Sequence, residues 1–239
     1  MDIQLPVLFE DEHYIAINKP AGVLVHRTSI AKDERELIAV QMLRDQIGQK
    51  VYPLHRIDRP TSGVLLFGKS SQATALLQPL FTTDQVKKIY LSVVRGFMPE
   101  QHGFVNHPLK KKLFGPLQEA KTEYWSISQT EIPLASSPRY KSSRYSVIKA
   151  YPHSGRMHQI RRHLAHERHY IIGDTAHGDN KQNNFFRKQF GLQNMLLHAW
   201  KLEFFHPIHN EEIKIRASLP DYFREILINI KLELIENDL

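Results

Sequence analysis

Between Lys88 and Val94 the chain alternates. Ile89, Leu91 and Val93 fall on one side and Tyr90, Ser92 and Val94 on the other, the two-residue period of a strand. Similar short runs recur along most of the chain: Val7 to Glu10, His13 to Asn18, Val64 to Gly68, Gly103 to Val105, Thr122 to Ile127, Arg144 to Tyr151, Met195 to Phe205 and Glu212 to Arg216. Helical spacing interrupts them. It appears at Leu37, Val40, Leu43 and Ile47 before a Gly48 stop, and again at Ala73, Leu76, Leu77 and Leu80, where Pro79 weakens the last turn. Met157, Ile160 and Leu164 form a stripe within Arg156 to Arg168, the stretch before Met195 reads as a polar connection, and Pro220-Asp221 opens a helix carrying Phe223, Leu227 and Ile230. Strands in series with interspersed helices, lacking strict βαβ alternation, predict an α+β domain with a mixed sheet.

A chain of 239 residues can bury a sizeable core. It contains no linker-like stretch, no repeat and no apolar run near the roughly 18 residues of a membrane span, so one soluble domain, 1–239, is expected. Met1 to Pro6 has neither a basic start nor an apolar core of signal-peptide length, and there are no cysteines, which fits a cytoplasmic protein with no disulfide or thiolate chemistry. The net charge of +7 comes from 32 Lys and Arg against 25 Asp and Glu. The basic residues recur along the middle of the chain, at Lys87-Lys88, Lys110 to Lys112, Arg139, Lys141, Arg144, Arg156, Arg161, Arg162 and Arg168, while acidic residues gather toward the ends. Folded onto one face, these would bind phosphates. For Lys110 to Lys112 a merely solvated loop is an equal alternative.

Two segments are dense enough in polar groups to carry chemistry. His55-Arg56-Ile57-Asp58-Arg59-Pro60-Thr61-Ser62-Gly63 holds one carboxylate between two arginines at what reads as a tight turn, with a buried strand behind it. On these residues alone, a surface ion pair and a catalytic carboxylate are evenly matched. Gly155 to Leu164 forms a helix whose apolar side faces the core, leaving His158, Arg161 and Arg162 grouped on the remaining surface, where they could meet a carboxylate from elsewhere. Histidine is abundant, 14 in all. His158 and His163 nevertheless lie about 140° apart on an ideal helix, and His166-Glu167-Arg168-His169 does not present two ligands on one face, so no metal is expected. The absence of phosphate-cradling glycine motifs and of a serine-hydrolase elbow leaves no signal for a nucleotide cofactor. Tyr90, beside Lys87 and Lys88, is by default a packed strand aromatic and otherwise a ring that stacks on a base.

Taken in order, Asn18-Lys19-Pro20-Ala21-Gly22 with Val25-His26, His55-Arg56-Ile57-Asp58 with Thr61-Ser62-Gly63, Lys88-Ile89-Tyr90, Gly155-Arg156-Met157-His158-Gln159-Ile160-Arg161 and Leu196-Leu197-His198-Ala199 resemble the RluA family of pseudouridine synthases. The resemblance spans roughly residues 7 to 219, with Ile57 where the family usually has Leu. It implies the pseudouridine synthase fold, a mixed, mostly antiparallel sheet with flanking helices and a central RNA-binding cleft. It also implies a catalytic set of Asp58 as nucleophile, Tyr90 stacked on the flipped base and handling its C5 proton, and Arg161 as the charge partner of Asp58. For RNA binding it implies Leu197 under the base and Arg56 inserted in its place, with Arg59, Lys88, Arg156, His158 and Arg162 as further contacts. Arg44 to Gln49, Ile172-Gly173-Asp174 and His177-Gly178-Asp179 resemble a tRNA-acting branch of the family, implying uridine 65 in the T-stem of tRNA as target. The expected enzyme is a monomeric isomerase needing no cofactor. Its first motif begins by residue 18, which leaves no room for the small N-terminal RNA-binding domain of larger relatives. The alternatives are a ribosomal RNA substrate or another uridine in tRNA, a non-catalytic RNA-binding protein and a histidine-based metallohydrolase.

Overall fold

A computed structural model describes residues 4–26, 37–111 and 115–234. Lys112, the last residue of the Lys110 to Lys112 basic run, lies outside the described residues. The elements are, in chain order, β1 (Val7–Glu10), β2 (Tyr14–Lys19), α1 (Ala39–Ile47), β3 (Tyr52–Pro53), β4 (Ser62–Gly68), α2 (Ser71–Leu77), β5 (Val86–Arg95), β6 (His102–Val105), β7 (Leu109–Lys110), β8 (Leu117–Gln118), β9 (Thr122–Ile132), β10 (Ser143–Pro152), α3 (Gln159–His166), α4 (Asn180–Phe190), β11 (Leu197–Phe205), β12 (Glu212–Arg216) and α5 (Asp221–Asn229). They fall into two compact units. One comprises residues up to Lys88 with His198–Leu219, the other Ile89–Leu197 with the chain from Pro220 onward.

In the first unit β1 pairs antiparallel with β2 and β2 with β4, while β4 runs parallel to β11 through Ser62 opposite His198 and Gly63 opposite Ala199. β12 is antiparallel to β11, and β3 lies against the far end of β4. The parallel pairing of β4 with β11 makes this arrangement mixed, as the sequence pattern predicts. Tyr14, Ala16, Val64, Leu66, Leu202 and Phe204 from the strands bury against Ala73 and Leu77 of α2. The Tyr14 hydroxyl donates to the Ala73 carbonyl at 2.8 Å, so even the polar atom of this ring is satisfied in the core. At Pro79 the chain leaves α2 through a 3-10 turn, Gln78–Thr82.

Gly63 differs from its expected place. The turn is closed earlier, by the Thr61 amide donating to the Asp58 carbonyl at 3.0 Å, and Ser62 and Gly63 already belong to β4. Glycine is needed there for close approach: φ is +112°, and a Cβ would stand 2.1 Å from the Ala199 carbonyl oxygen. Backbone strain plus overpacking predicts that Gly63→Ala loses about 3 kcal/mol or more in urea unfolding. A loss under about 1 kcal/mol would mean that β4 and β11 separate easily at this point.

In the second unit β6, β9, β10 and β5 pair antiparallel in that order, and β7 and β8 form a separate hairpin. Val94, Tyr124, Ile148 and Ala150 on one sheet face bury against Ile160 and Leu164 of α3. Pro220 precedes α5 as expected, and Phe223 and Leu227 are buried. α4 stands where a polar connection was expected. Its ends carry ordinary signals: the Asp179 carboxylate accepts from the Lys181 and Gln182 amides, and Gly191 closes the helix at φ +69°. Its hidden face is partly amide, however. Gln182 accepts from the Tyr145 hydroxyl and Asn183 bonds Gly173 and Asp174, so no apolar stripe betrays it.

Three other helical assignments need correction. Leu37 precedes α1 and Leu76 points outward from α2, at 44% and 51% exposure. Met157, 57% exposed, precedes α3, which begins only at Gln159 and buries Ile160, Arg161, His163 and Leu164.

Candidate active site

Asp58 sits in a loop held from both sides by the first unit. Lys19, at the end of β2, is fully buried and donates to the carbonyls of Pro20 at 2.8 Å, Val23 at 2.9 Å and Arg59 at 3.3 Å. Those three acceptors match the three N–H groups of an ammonium. Burial pushes Lys19 down to about 7, with the Asp58 carboxylate opposing the shift and the Arg59 charge adding to it. Gly22 and Arg59 complete the lacing: the Gly22 amide donates to the Arg59 carbonyl at 2.8 Å, and Arg59 Nε donates back to the Gly22 carbonyl at 3.0 Å. Arg59, which the resemblance places among RNA contacts, thus also ties the loop together. The sequence offered Lys19 only as part of a motif, because burial against three carbonyls is a tertiary fact.

The other side of the loop is pinned by neutral histidines. His55 Nε2 accepts from the Leu66 amide at 3.1 Å, and its ring stacks on Phe81 at 4.8 Å. Lys88 donates to the Phe81 carbonyl at 3.2 Å, and burial lowers its ammonium while Asp84 opposes. His198 bonds the Ser62 hydroxyl through Nδ1 at 2.8 Å and the Ala217 carbonyl through Nε2 at 3.4 Å. Ile57 is buried, Asp58 is half-buried and Arg56 is exposed. One residue of the loop is therefore anchored on either side of a carboxylate that solvent reaches.

These histidines set an acid limit. Burial holds His198 at about 4 and His55 at about 3, with Lys88 contributing at His55. Unfolded, both rings take a proton near pH 6.5, so below that value the unfolded chain binds more protons than the folded one. Stability is therefore full above about pH 6.5 and falls as the pH drops toward 4, by about 1.4 kcal/mol per unit for each ring. Unfolding midpoints measured from pH 7 to 4.5 should drop steeply, and His198→Gln should flatten the slope. A flat profile would mean these rings are not held neutral.

In the second unit Arg161 is buried, 5% exposed, rather than on the outer face of α3. Its Nε and Nη2 donate to the two oxygens of Asp174, both at 2.8 Å. Asp174 is itself 1% exposed, and its Oδ1 also accepts from the Ala176 and His177 amides at 2.9 and 3.0 Å. Burial works to raise this carboxyl, but Arg161 and the two amides hold it below the usual carboxylate range. Asp174 was visible in sequence only inside a motif, with no role. Tyr90 packs against the core cluster containing Ile160, Leu164 and Leu197, on the same side of the sheet as α3.

The basic residues around α3 diverge. His158 takes a left-handed conformation, φ +53°, just before the helix, and its Nδ1 lies 2.8 Å from His177 Nε2. Arg156 donates to the Glu119 carbonyl, and Arg162 to the carbonyls of Lys110 and Met157. Far along the chain, Asp11, His206 and His209 bring potential ligand atoms within 4.8 Å of one another. Their bonding is that of a turn lock: Asp11 accepts from the His13 and Tyr14 amides and from His206 Nε2, while His206 Nδ1 accepts from the Ile208 and His209 amides. Both nitrogens of His206 are so used.

A model of the RNA pseudouridylate synthase family matches residues 13–166, which include Asp58, Tyr90 and Arg161. A Vibrio parahaemolyticus protein named tRNA pseudouridine synthase C is 43% identical over 234 residues, covering 94% of each chain. One of the same name from Pasteurella multocida is 44% identical over 237 residues, covering 95% of this chain and 96% of its own. The solved structure of human RNA Pseudouridylate Synthase Domain Containing 4 shares the fold, with a TM-score of 0.73 at 24% identity, over 96% of this chain and 94% of that one. With identity of this order along nearly its full length, the chain belongs to the RNA pseudouridylate synthase family.

Proposed function

We propose that this protein isomerises uridine to pseudouridine in tRNA, at uridine 65 of the T-stem, as a monomeric single-domain enzyme using neither metal nor cofactor. The relatives named for tRNA support the substrate class. For the chemistry, support rests above all on one observation: a buried arginine aimed by the bidentate grip of Asp174. Asp58 is the nucleophile, at C1′ or at C6 of the uridine. The C1′–N1 bond breaks, the base turns, and C1′ bonds to C5, while C5 loses its proton and N1 gains one. Arg161 acts as the charge partner that directs Asp58. Tyr90 stacks on the flipped base and receives the C5 proton, and Leu197 supplies apolar contact. Arg56 fills the gap in the RNA stack, offsetting a few kcal/mol of unstacking. Arg59, Lys88, Arg156, His158 and Arg162 contact the RNA around it.

Pseudouridine maps of small and large RNAs from cells with and without the protein check the substrate. The expected difference is a single tRNA position, uridine 65. Loss of a ribosomal RNA site with unchanged tRNA would move the substrate to ribosomal RNA.

A further inference from the structure

Within the second unit, His107, Leu109, Arg162, Ala165, His166 and His177 line an open groove of about 350 Å³. Arg162 and three imidazoles make its polar lining, and no carboxylate is among the lining residues. Arg162 is fixed across the groove, its Nη1 donating to the Lys110 carbonyl at 3.0 Å, while its Nε and Nη2 have no partner among the described residues. His107 and His166 stack at 3.8 Å between ring centroids, nearly parallel. His163 orders the floor, bonding the His107 carbonyl through Nε2 and the Thr122 hydroxyl through Nδ1, both at 2.8 Å. Exposed Lys110 and Lys111 follow on the rim, where Glu167 is the acidic neighbour, 4.0 Å from His166.

We infer that this groove is a subsite for one phosphodiester group of the RNA substrate, with Arg162 as its principal donor and His107, His166 and His177 as polar walls. The inference rests on the function proposed above. A guanidinium with two uncommitted donor edges recognises phosphate oxygens in pairs, and imidazoles supply further N–H donors. The groove is wide enough for a tetrahedral group and open enough for a continuous RNA strand. Position adds a functional link. The His177 amide donates to Asp174, the residue gripping Arg161, so a phosphate seated here registers the RNA against the framework that aims Arg161.

Equilibrium binding to unmodified tRNA, measured over a salt series, tests this without requiring turnover. Arg162→Ala should weaken binding about tenfold at 0.1 M salt and lower the slope of log K against log salt by about 0.9, one phosphate contact. His166→Ala should weaken binding severalfold, and Arg162→Lys should restore the slope while leaving affinity partly reduced. With these variants KM for tRNA should rise. A merely structural role for Arg162 would change affinity with the slope intact, and that result overturns the subsite. If wild-type protein binds RNA with the expected slope but modifies no uridine, the proposed function fails and the groove stands as a phosphate site.

Discussion

Asp174→Ala is expected to cost about 3–5 kcal/mol of unfolding free energy, the usual consequence of stranding one member of a buried ion pair. The guanidinium of Arg161 would keep its burial but lose two charge-assisted hydrogen bonds, and the Ala176 and His177 amides would lose their acceptor. Activity should fall further than stability explains. If Arg161 acts as proposed, loss of its fixed orientation misplaces the catalytic group, and misplacement of about 1 Å costs on the order of a hundredfold. Asp174→Asn keeps the side-chain volume and an oxygen for the Ala176 and His177 amides, but its NH2 meets an Arg161 donor and the buried guanidinium stays uncompensated, so stability should return only in part while single-turnover rate stays low. Normal turnover by folded Asp174→Ala at low temperature would show that Arg161 does not depend on Asp174.

The strand framework was legible because alternation survives in the sequence wherever one sheet face is buried. β12 spans the residues expected, and β5 extends them by two at the start and one at the end. α4 was not legible, since it hides Gln182 and Asn183, which hydrogen-bond rather than merely exclude water. Arg161 misled for the converse reason: charge predicts exposure, and the long-range bidentate bonds to Asp174 offset its burial. Asp58, Tyr90 and Arg161 became candidate site residues through family resemblance, whereas spacing alone left Asp58 between two meanings. The supports were invisible. Lys19 reaches the Arg59 carbonyl in a loop forty residues away, and His198 meets Ser62 across a parallel strand pair. Such contacts carry no local period, so they emerge only once the chain is folded.

Asp58→Ala should have the largest effect on chemistry. Its side chain is half-buried in a loop whose backbone is held by Lys19, Arg59 and His55, and these anchors remain when the carboxylate is truncated. Affinity for tRNA, governed by phosphate contacts, should stay within a few-fold. Turnover, by contrast, loses its nucleophile, and a loss of at least about a thousandfold is expected. Asp58→Asn, which cannot attack, should be equally inactive, setting nucleophilicity apart from shape. Tritium release from unmodified tRNA labelled at uridine C5 reads this step directly, because forming the C1′–C5 bond expels that hydrogen. Wild-type protein should release it without added metal or cofactor and the Asp58→Ala variant should release none; release by the variant at the wild-type rate would contradict the assignment of Asp58 as the nucleophile.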